Sequence, residues 1–437
     1  MKNSIRLVLS LLSFALWTNA QGFYWNTASA GSMALGGIYA PSSSGVLDAL
    51  AANPAGLALL DSPIADLSLA GVFARGSFSN SVNSGAPLET SPGAVPYGAF
   101  GTPIGKSRFS IGIGQTPELT SVSNWHYVDA PGVAGATYGL QQAKSAILAT
   151  RSVIGLGAYI SPMLSLGVSF GADYNSNTLD APYIFQSQPV VKGLKTLLDL
   201  HTTGFGFNTS AGALIRPSRK VQIGLAWKSR TIIDSTGSAS GNLEQQLVAL
   251  GISANPNFQY SAATVHNILP QSVTVSATWH VNSRWMLALQ GDWVNWNDAF
   301  HTLPVMLRNG NNTLINSLVG STSLDDGVPL DWKDQYSVRA GLERALTENF
   351  SIRGGFAHAN NPVPSSTLSP LTAAILSNQF STGLGWRHGR ANFDAAYSFD
   401  PTAKSVVGQS ALLSGEYDNS TVKIGIQSVT LSTSLRF

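Results

Sequence analysis

Cysteine is absent from this chain of 437 residues. Disulfide bonds, thiolate metal sites and cysteine nucleophiles are therefore excluded. Charged residues are also scarce, at 11% of the sequence, against about 25% in an ordinary soluble domain. The net charge is only +2, without a basic run, so we do not expect nucleic acid as a partner. This composition is typical of a β-barrel with a lipid-facing surface.

Long apolar runs are missing as well. Nothing after residue 20 reaches the roughly 18 uninterrupted apolar residues that a membrane-spanning helix needs. The first residues carry Lys2 and Arg6, then an apolar run from Leu7 to Trp17, then Ala20, which is the order of a secretory signal peptide. We therefore expect residues 1–20 to be a cleaved signal peptide.

Catalytic motifs form the third absence. The sequence contains no nucleophile elbow, zinc-binding helix motif or phosphate-binding loop. We accordingly expect no catalytic residue, no cofactor and no metal site, and an outer-membrane hydrolase is only a minor alternative.

Alternation of apolar and polar residues is abundant and indicates strands with two different faces. In residues 272–280, Val273, Val275, Ala277 and Trp279 fall on one face, and serines and threonines fall on the other. Similar runs recur near residues 164–170, 221–228, 285–293, 336–343, 350–356 and 393–399. Each run has only one apolar face, and many have an aromatic residue near an end, as expected for membrane interfaces.

Short turns alternate with long connections along the chain, which predicts periplasmic turns and extracellular loops. The long loops are expected near residues 117–144, 176–202, 233–265, 299–331, 361–377 and 401–418. Counting from Ile64 gives fourteen strands, so residues 61–437 are predicted to be an all-β transmembrane antiparallel barrel. The chain ends in an alternating strand that closes on Phe437, and this ending is similar to the signal by which the barrel-assembly machinery recognises outer-membrane proteins.

Residues 21–60 do not alternate and are rich in Gly, Ala, Ser and Leu. A compact segment with small side chains and few charges suits the polar inside of a barrel. We expect this segment to be a plug, or hatch, in the lumen.

Motifs at both ends of the mature chain resemble the long-chain fatty acid transporter family of outer-membrane proteins. GSMALGGIYA followed by AANPAGLALL is similar to the family's hatch, with its motif at Asn53, Pro54, Ala55 and Gly56. LPQSVTVSATWHVNSRWMLALQGDWVNW and DWKDQYSVRAGLERALTENFSIRGGFAHANNPVP are similar to late strands of the family. The resemblance covers most of the mature chain, although the loops cannot be aligned.

The resemblance implies a bacterial outer-membrane barrel, with a hatch, that imports hydrophobic small molecules. It also implies passage through a gap in the wall beside a kinked third strand, near residues 112–117, where Gly112 and Gly114 are candidates for the kink. Outer-membrane lipids and a hydrophobic small molecule are the partners expected, and a monomer is the simplest assembly.

Two predicted loops contain helix-like apolar stretches. The first runs from Val190 to Leu198 and repeats apolar residues at spacings of three and four, among them Leu194, Leu197 and Leu198. In the second, Leu243, Leu247 and Leu250 do so. The two stretches either form a hydrophobic groove that captures a ligand or simply bury their apolar faces against the barrel rim.

Arg339 and Arg353 fall on polar strand faces by parity. They are candidate anchors for a ligand carboxylate. The alternative is that they pair with lumen carboxylates such as Asp292, Glu343 or Asp394, as buried charges usually do.

One further alternative concerns the function as a whole. A barrel of the same family could serve as a docking component for secretion, binding a protein rather than a lipid. A stoichiometric protein partner in a detergent extract would favour docking, and a co-purifying hydrophobe would favour transport.

Overall fold

The computed structural model of the protein describes residues 28–39, 45–89 and 93–437. The predicted signal peptide at 1–20 lies outside these residues, and so do the first residues of the predicted hatch. Within the described residues, nineteen strand segments form one antiparallel sheet. Its segments are β1 (Ile64–Ser79), β2 (Ala86–Pro87), β3 (Gly93–Pro103), β4 (Phe109–Val128), β5 (Leu140–Ser161), β6 (Leu164–Ile184), β7 (Lys195–Ser218), β8 (Val221–Lys228), β9 (Thr231–Asn242), β10 (Asn257–Leu269), β11 (Ser272–His280), β12 (Trp285–Val294), β13 (Thr302–Gly310), β14 (Leu324–Pro329), β15 (Gln335–Ala345), β16 (Phe350–Ala359), β17 (Asn378–His388), β18 (Ala391–Val406) and β19 (Thr421–Arg436).

Five strands of the barrel wall are interrupted. The pairs β2/β3, β8/β9, β10/β11, β12/β13 and β14/β15 each make one wall strand, so the nineteen segments form fourteen wall strands. The first and last strands close the sheet, because β1 pairs with β19 without interruption from Ile64↔Arg436 to Ser79↔Thr421. The prediction of a closed barrel of fourteen strands is confirmed.

The alternation in the sequence sets which side chains face the membrane. In β11, Val275 and Trp279 are 48% and 49% exposed, whereas Ser276 and Thr278 are 5% and 1% exposed. Exposed apolar side chains and buried hydroxyls are the reverse of a soluble protein. They are expected for a barrel whose outer surface meets lipid and whose inner surface is polar.

The hatch lies inside the barrel and consists of short helices. The first is α1 (Ala30–Ala34), the second is α2 (Val46–Ala51), and a 3₁₀ helix (Pro54–Leu59) follows. Two wall glycines allow the hatch backbone to approach closely: a Cβ at Gly157 would lie 2.3 Å from the Ala58 nitrogen, and one at Gly167 would lie 2.2 Å from the Ala55 nitrogen. The fold class predicted from the sequence, a barrel with an internal N-terminal plug, is confirmed.

Among the described residues, α3 (Glu244–Ala249) and α5 (Thr313–Val319) lie in extracellular connections, whereas α4 (Trp296–Ala299) lies in the interruption between β12 and β13. The predicted helix around Leu243–Leu250 is thus present as α3. Among the residues that the structure describes, no helix has both the length and the apolarity to cross a membrane.

The predicted helix from Val190 to Leu198 is wrong, because this segment forms a turn and the start of β7. Gly193 has a φ of 84°, which a right-handed helix cannot include. From Lys195 onward the backbone pairs with β6, and Leu197 and Leu198 also pair with β9. The predicted loop at 176–202 therefore shrinks to the ten residues between β6 and β7, since the paired strands continue above the membrane.

We predict that Gly167→Ala displaces the hatch from the wall. The new Cβ would collide with hatch backbone rather than with a flexible side chain, and overpacking of this kind costs about 1–3 kcal/mol. Amide hydrogen exchange in residues 54–59 should therefore be roughly tenfold faster. Gly291→Ala is the matched control, because its nearest neighbour would lie 3.8 Å from the new Cβ. Equal protection in the two variants would contradict the prediction.

Candidate functional site

The third wall strand, β4, bends out of the barrel wall. Its ladder with β5 shifts register between Pro117 and Leu119, which leaves Glu118 as a bulge. The six consecutive residues 116–121 are all buried, although a strand lying in the wall would expose every second residue to lipid. The kink expected near residues 112–117 therefore occurs directly after Pro117.

The bend opens a gap between β3 and β4. The β3–β4 ladder runs from Pro103↔Ser110 to Gly98↔Gln115 and ends there. Above it, residues 93–97 of β3 pair only with β1, and residues 116–124 of β4 pair only with β5. An isolated bridge between Leu88 and Trp125 marks the extracellular end of the gap. Among the described residues, this stretch of the wall thus lacks cross-strand pairing.

Gly112 and Gly114, the candidate kink glycines, do not cause the bend. Both have negative or extended φ values, and both precede the bulge. A Cβ at Gly112 would lie 2.8 Å from Leu57 of the hatch, and one at Gly114 would lie 2.7 Å from Ala99 of β3. Gly112 instead lets the hatch approach the wall beside the gap.

An apolar face of the hatch packs beside the same gap. Its contacts form one buried cluster with β3 and β5, made of hatch residues Val46, Leu47, Leu50 and Leu57 and wall residues Val95, Tyr97, Ala99 and Val153. A movement of the hatch would therefore change which side chains lie behind the gap.

The hatch motif is bound to the wall at β7 and β8, four wall strands away from the gap. The Asn53 side-chain amide donates to the carbonyls of Ala213 in β7, at 3.3 Å, and Leu225 in β8, at 3.1 Å. Its Oδ1 accepts from the backbone nitrogen of Ala55 at 3.1 Å and so caps the 3₁₀ helix that Pro54 begins. Gly56 keeps this helix close to α2, because a Cβ there would lie 3.0 Å from the Cβ of Ala49.

Asp48 joins the two described parts of the hatch. Its carboxylate accepts hydrogen bonds from the hydroxyls of Ser29, at 2.6 Å, and Ser32, at 3.3 Å. Burial, together with the nearby Asp66 and Asp394 carboxylates, raises the pKa of Asp48 to about 7, against the lowering effect of the hydrogen bonds from Ser29 and Ser32. The neutral form of this side chain therefore fits the closed hatch best.

A buried polar belt crosses the inner wall at the level of the kink. Arg151 of β5 donates to the carbonyl of hatch residue Leu50 at 3.2 Å and to Asn208 at 2.8 Å. Glu118, the bulged residue of the kink, forms an ion pair with Lys228 of β8. Sequence reasoning missed Glu118 and Arg151. A charged residue directly after a proline in a strand-like run was the available signal for Glu118.

Arg339 and Arg353 both pair with wall carboxylates. Arg339 binds Asp292 at 3.0 Å, and it also donates to the carbonyl of Gly36 in the hatch. Arg353 binds Glu343 at 2.5 Å and also binds Asp394. These are the pairings that the alternative interpretation named, so a ligand carboxylate would have to displace them. Their role as ligand anchors stays a prediction.

An apolar cavity of about 150 Å³ lies in the upper lumen. It is lined by the inner faces of β5, β6, β7, β10, β13 and β14 and by loop segments near 369–372 and 412–417, including Ile147, Leu179, Leu303, Leu330, Leu371 and Leu412. Most of these leucines lie in connections whose fold the sequence did not reveal. The cavity's β5 residues, 145–147, pair with residues 121–123 of β4. Only one strand therefore separates the cavity from the gap.

The six leucines of the predicted groove do not meet in this cavity. Of the six, Leu198 lines it, Leu243 and Leu247 are buried beside Leu198, and Leu194 packs against the same cluster. Leu250 is 43% exposed, and Leu197 lines a separate outer groove of about 390 Å³. The capture role of these residues stays a prediction.

No group of three or more His, Asp or Glu side chains within residues 28–39, 45–89 and 93–437 is arranged to hold a metal ion. The carboxylates of the lumen are instead held by arginine, lysine, serine and asparagine side chains.

A family model described as "Outer membrane protein transport protein (OMPP1/FadL/TodX)" matches residues 11–437. Two curated relatives, from Escherichia coli strain K12 and Shigella flexneri, are each named long-chain fatty acid transport protein. Each is 24% identical over 402 residues, which cover 84% of this chain and 84% of the relative. These relatives are transport proteins, which confirms the expectation that the chain is not an enzyme.

Solved structures share the fold at low sequence identity. The toluene transporter TodX of Pseudomonas putida matches with a TM-score of 0.75 at 16% identity, over 96% of this chain and 99% of its own. A FadL homologue of Pseudomonas aeruginosa gives 0.70 at 16%, over 97% and 99%. The toluene transporter TbuX of Ralstonia pickettii gives 0.67 at 18%, over 96% and 99%.

We predict that Lys228→Met destabilises the barrel by about 3–5 kcal/mol, because it leaves the Glu118 carboxylate buried without its cation. The double variant Glu118→Gln/Lys228→Met should recover most of this loss, since no uncompensated charge is left. Urea titration of the protein in vesicles measures both free energies of unfolding. If the double variant is no more stable than Lys228→Met, the ion pair does not hold the kink.

We also predict that the hatch loosens as the pH rises. The pKa of Asp48 is higher in the folded protein than its ordinary value of 3.8. Its stabilising effect is therefore complete below that value and is lost as the pH rises through about 7. Between about pH 4 and pH 7 the opening free energy of residues 46–51 should therefore fall by up to about 1.4 kcal/mol per pH unit and then level off, measured by hydrogen exchange corrected for intrinsic rates.

Asp48→Asn should remove this pH dependence, because the amide stays neutral and still accepts from Ser29. Asp66, Asp394 and Arg353 also face the carboxyl and are present in both proteins. Asp61→Asn, at an exposed position, is the control and should keep the dependence. A pH-independent hatch in the parent protein would refute the role of Asp48.

Proposed function

Because the chain belongs to the OMPP1/FadL/TodX family of outer-membrane transport proteins, we propose a route for the hydrophobic compounds that it carries. The ligand is captured at the extracellular loops and moves into the apolar cavity of the lumen. It then leaves sideways into the membrane through the gap between β3 and β4. The route is passive and needs no catalytic residue.

The observation that carries this proposal is the position of the cavity next to the gap. Residues 145–147 line the cavity, and their ladder partners, residues 121–123 of β4, form the edge of the gap. A ligand therefore has to pass only the kinked strand and the loop segment that packs on it, where the indole nitrogen of Trp125 donates to the Pro370 carbonyl at 2.9 Å.

A straight route to the periplasm is less favourable for an apolar ligand. Below the cavity lie the polar belt and the hatch, and beneath the hatch a vestibule of about 460 Å³ is lined by charged residues such as Glu343, Arg353 and Asp394. Burial in lipid is favourable by about 25 cal/mol for each Å² of apolar surface. The sideways route therefore keeps the ligand in apolar surroundings for longer.

Capture above the cavity is assigned to the loop leucines. Leu198, Leu243 and Leu247 share one buried cluster, and Leu250, at the C-terminal end of α3, exposes its side chain. A ligand that displaces part of this cluster would exchange one apolar contact for another, so its entry costs little.

Two partner assignments accompany the proposal. The side chain of Phe437 is 59% exposed at the end of the closing strand, where the barrel-assembly machinery would contact it. A monomer is the expected assembly, because the barrel closes on itself.

We predict that locking the hatch to the wall stops uptake. Val46→Cys with Gly101→Cys is the pair of choice, because a Cβ at position 101 would lie 2.8 Å from a Cγ atom of Val46, a separation that suits a disulfide. The chain has no other cysteine. Cells that make the oxidised double variant should take up radiolabelled toluene and oleate no faster than cells without the protein.

The Val46→Cys single variant, and the double variant after reduction, should transport at the parent rate. Heat-modifiable migration of every variant checks that the barrel has formed. Uptake at the parent rate in cells with the oxidised double variant would contradict a route that needs the hatch to move. A parent protein that transports neither probe would favour the protein-docking alternative.

A further inference from the structure

Among the described residues, the 27 that line the apolar cavity include no lysine, arginine or histidine, but they include two carboxyl groups, Asp326 and Glu416. A fatty-acid carboxylate entering this cavity would therefore meet carboxyl groups and no cationic side chain of the described residues. Transfer of an unpaired carboxylate into such surroundings is strongly unfavourable.

Asp326 is fixed as an acceptor by five donors. These are the Tyr183 hydroxyl at 2.6 Å, the backbone nitrogens of Gln186, Ser187 and Gln188 at 2.9, 2.6 and 3.1 Å, and the Ser187 hydroxyl at 2.8 Å. Hydrogen bonds of this kind favour the charged form of a carboxyl. Asp326 therefore presents a negative charge at the cavity and has little capacity left for a ligand.

Glu416 belongs to a buried cluster in which one cation serves two carboxyl groups. Lys195 Nζ lies 2.7 Å from Asp129 Oδ1 and 3.9 Å from Glu416 Oε1, and it also donates to the Ala130 carbonyl at 2.5 Å. The side chains of Lys195 and Asp129 are completely buried. Asp129 is the closer partner of the ammonium, so Lys195 is not available to a ligand.

Glu416 itself is only 6% exposed, and its Oε1 has no hydrogen-bond partner within the described part of the chain. Burial and the nearby Asp129 raise the pKa of Glu416 to about 8, against the opposing effect of Lys195. At neutral pH the group is therefore a neutral carboxyl beside the cavity. Tyr127 and Tyr417 are the other titratable groups that face this cluster.

The volume of the cavity also restricts the size of the ligands that can bind. Its volume is about 150 Å³, and an engineered protein cavity of about this volume, lined by Leu, Ile and Phe, binds benzene. A chain of sixteen or so carbons would not fit without displacing the loop segments that form its walls.

We infer that the cavity is a binding site for uncharged hydrophobes of about the size of one aromatic ring, that the negative charge of Asp326 excludes carboxylates, and that Glu416 permits binding only in its neutral form. The inference deepens the proposed function and rests on it. Glu416 must be neutral to lie beside an apolar ligand, because an ionised carboxylate would lose hydration when the ligand covers it.

Three ring compounds test the inference: toluene, benzyl alcohol and benzoate, which share one ring and differ in the charge and polarity of the substituent. Binding is measured by equilibrium dialysis against the full-length mature protein in lipid nanodiscs at pH 6.5, with empty nanodiscs subtracted. Toluene and benzyl alcohol should bind at least tenfold more tightly than benzoate, and palmitate should not displace them.

The pH profile isolates Glu416. Toluene affinity should fall about tenfold between pH 6.5 and pH 9, since with a pKa of about 8 only about a tenth of Glu416 stays protonated at pH 9. Glu416→Gln should abolish this fall. Glu348→Gln, at an exposed turn, should keep it. Asp48 titrates in all three proteins, so its contribution is common to them.

Each outcome has one meaning. Benzoate that binds as tightly as toluene, or a pH profile that survives Glu416→Gln, would overturn the inference and leave hydrophobe transport intact. Palmitate that displaces toluene would overturn the size limit. If none of the three ring compounds binds and toluene uptake is absent too, it is the proposed transport function that fails.

Discussion

Backbone hydrogen bonding between neighbouring strands is the constraint on which the rest of this structure depends. Inside a bilayer an unpaired N–H or C=O group has no water to bind, so the sheet must close, as it does where β1 meets β19. The gap between β3 and β4 is the exception within the described wall. It is tolerated because the bent part of β4 lies inside the barrel, against the loop segment around Pro370 and Leu371. The opening and the inward bend are therefore one feature.

The hatch is attached by polar groups as much as by apolar ones. Arg151 and Arg339 donate to the carbonyls of Leu50 and Gly36, near the C-terminal ends of the two hatch helices, where carbonyls lack partners within the helix. Asn53 donates to two carbonyls of the wall. Each of these bonds contributes about 1 kcal/mol net. Several such hydrogen bonds together hold the hatch in place. When the hatch moves, the donors and acceptors can bind water instead.

Much of the fold could be predicted from the sequence, because a barrel wall repeats a two-residue pattern that needs no knowledge of distant contacts. The strand count follows from that pattern and from the alternation of turns and loops. The hatch could be located because residues 21–60 lack the pattern, and the family resemblance supplied its motif, Asn53 to Gly56. The pairing of Arg339 with Asp292 was among the stated alternatives, since parity placed both on the lumen face.

The candidate site could be predicted far less well. Leu197 and Leu198 have helical spacing, but their neighbours in β6 and β9 determine their conformation. The bulge at Glu118 depends on Lys228, which is 110 residues away. The cavity is assembled from several connections that have no period of their own. Long-range contacts of this kind leave no local pattern in a single sequence.

The seam between the first and last strands also has a consequence for how the molecule is built. Ile64 and Arg436 are 372 residues apart, so this ladder has the greatest contact order in the barrel, and contacts of that kind form late. The hatch immediately precedes β1 and contacts the inner faces of strands from both halves of the sheet. Once β19 has paired with β1, backbone hydrogen bonds close the side of the barrel, and the hatch could enter only from an open end. A hatch in place before the seam forms instead lets the growing sheet curl around it as a template, so the topology favours early placement of the hatch.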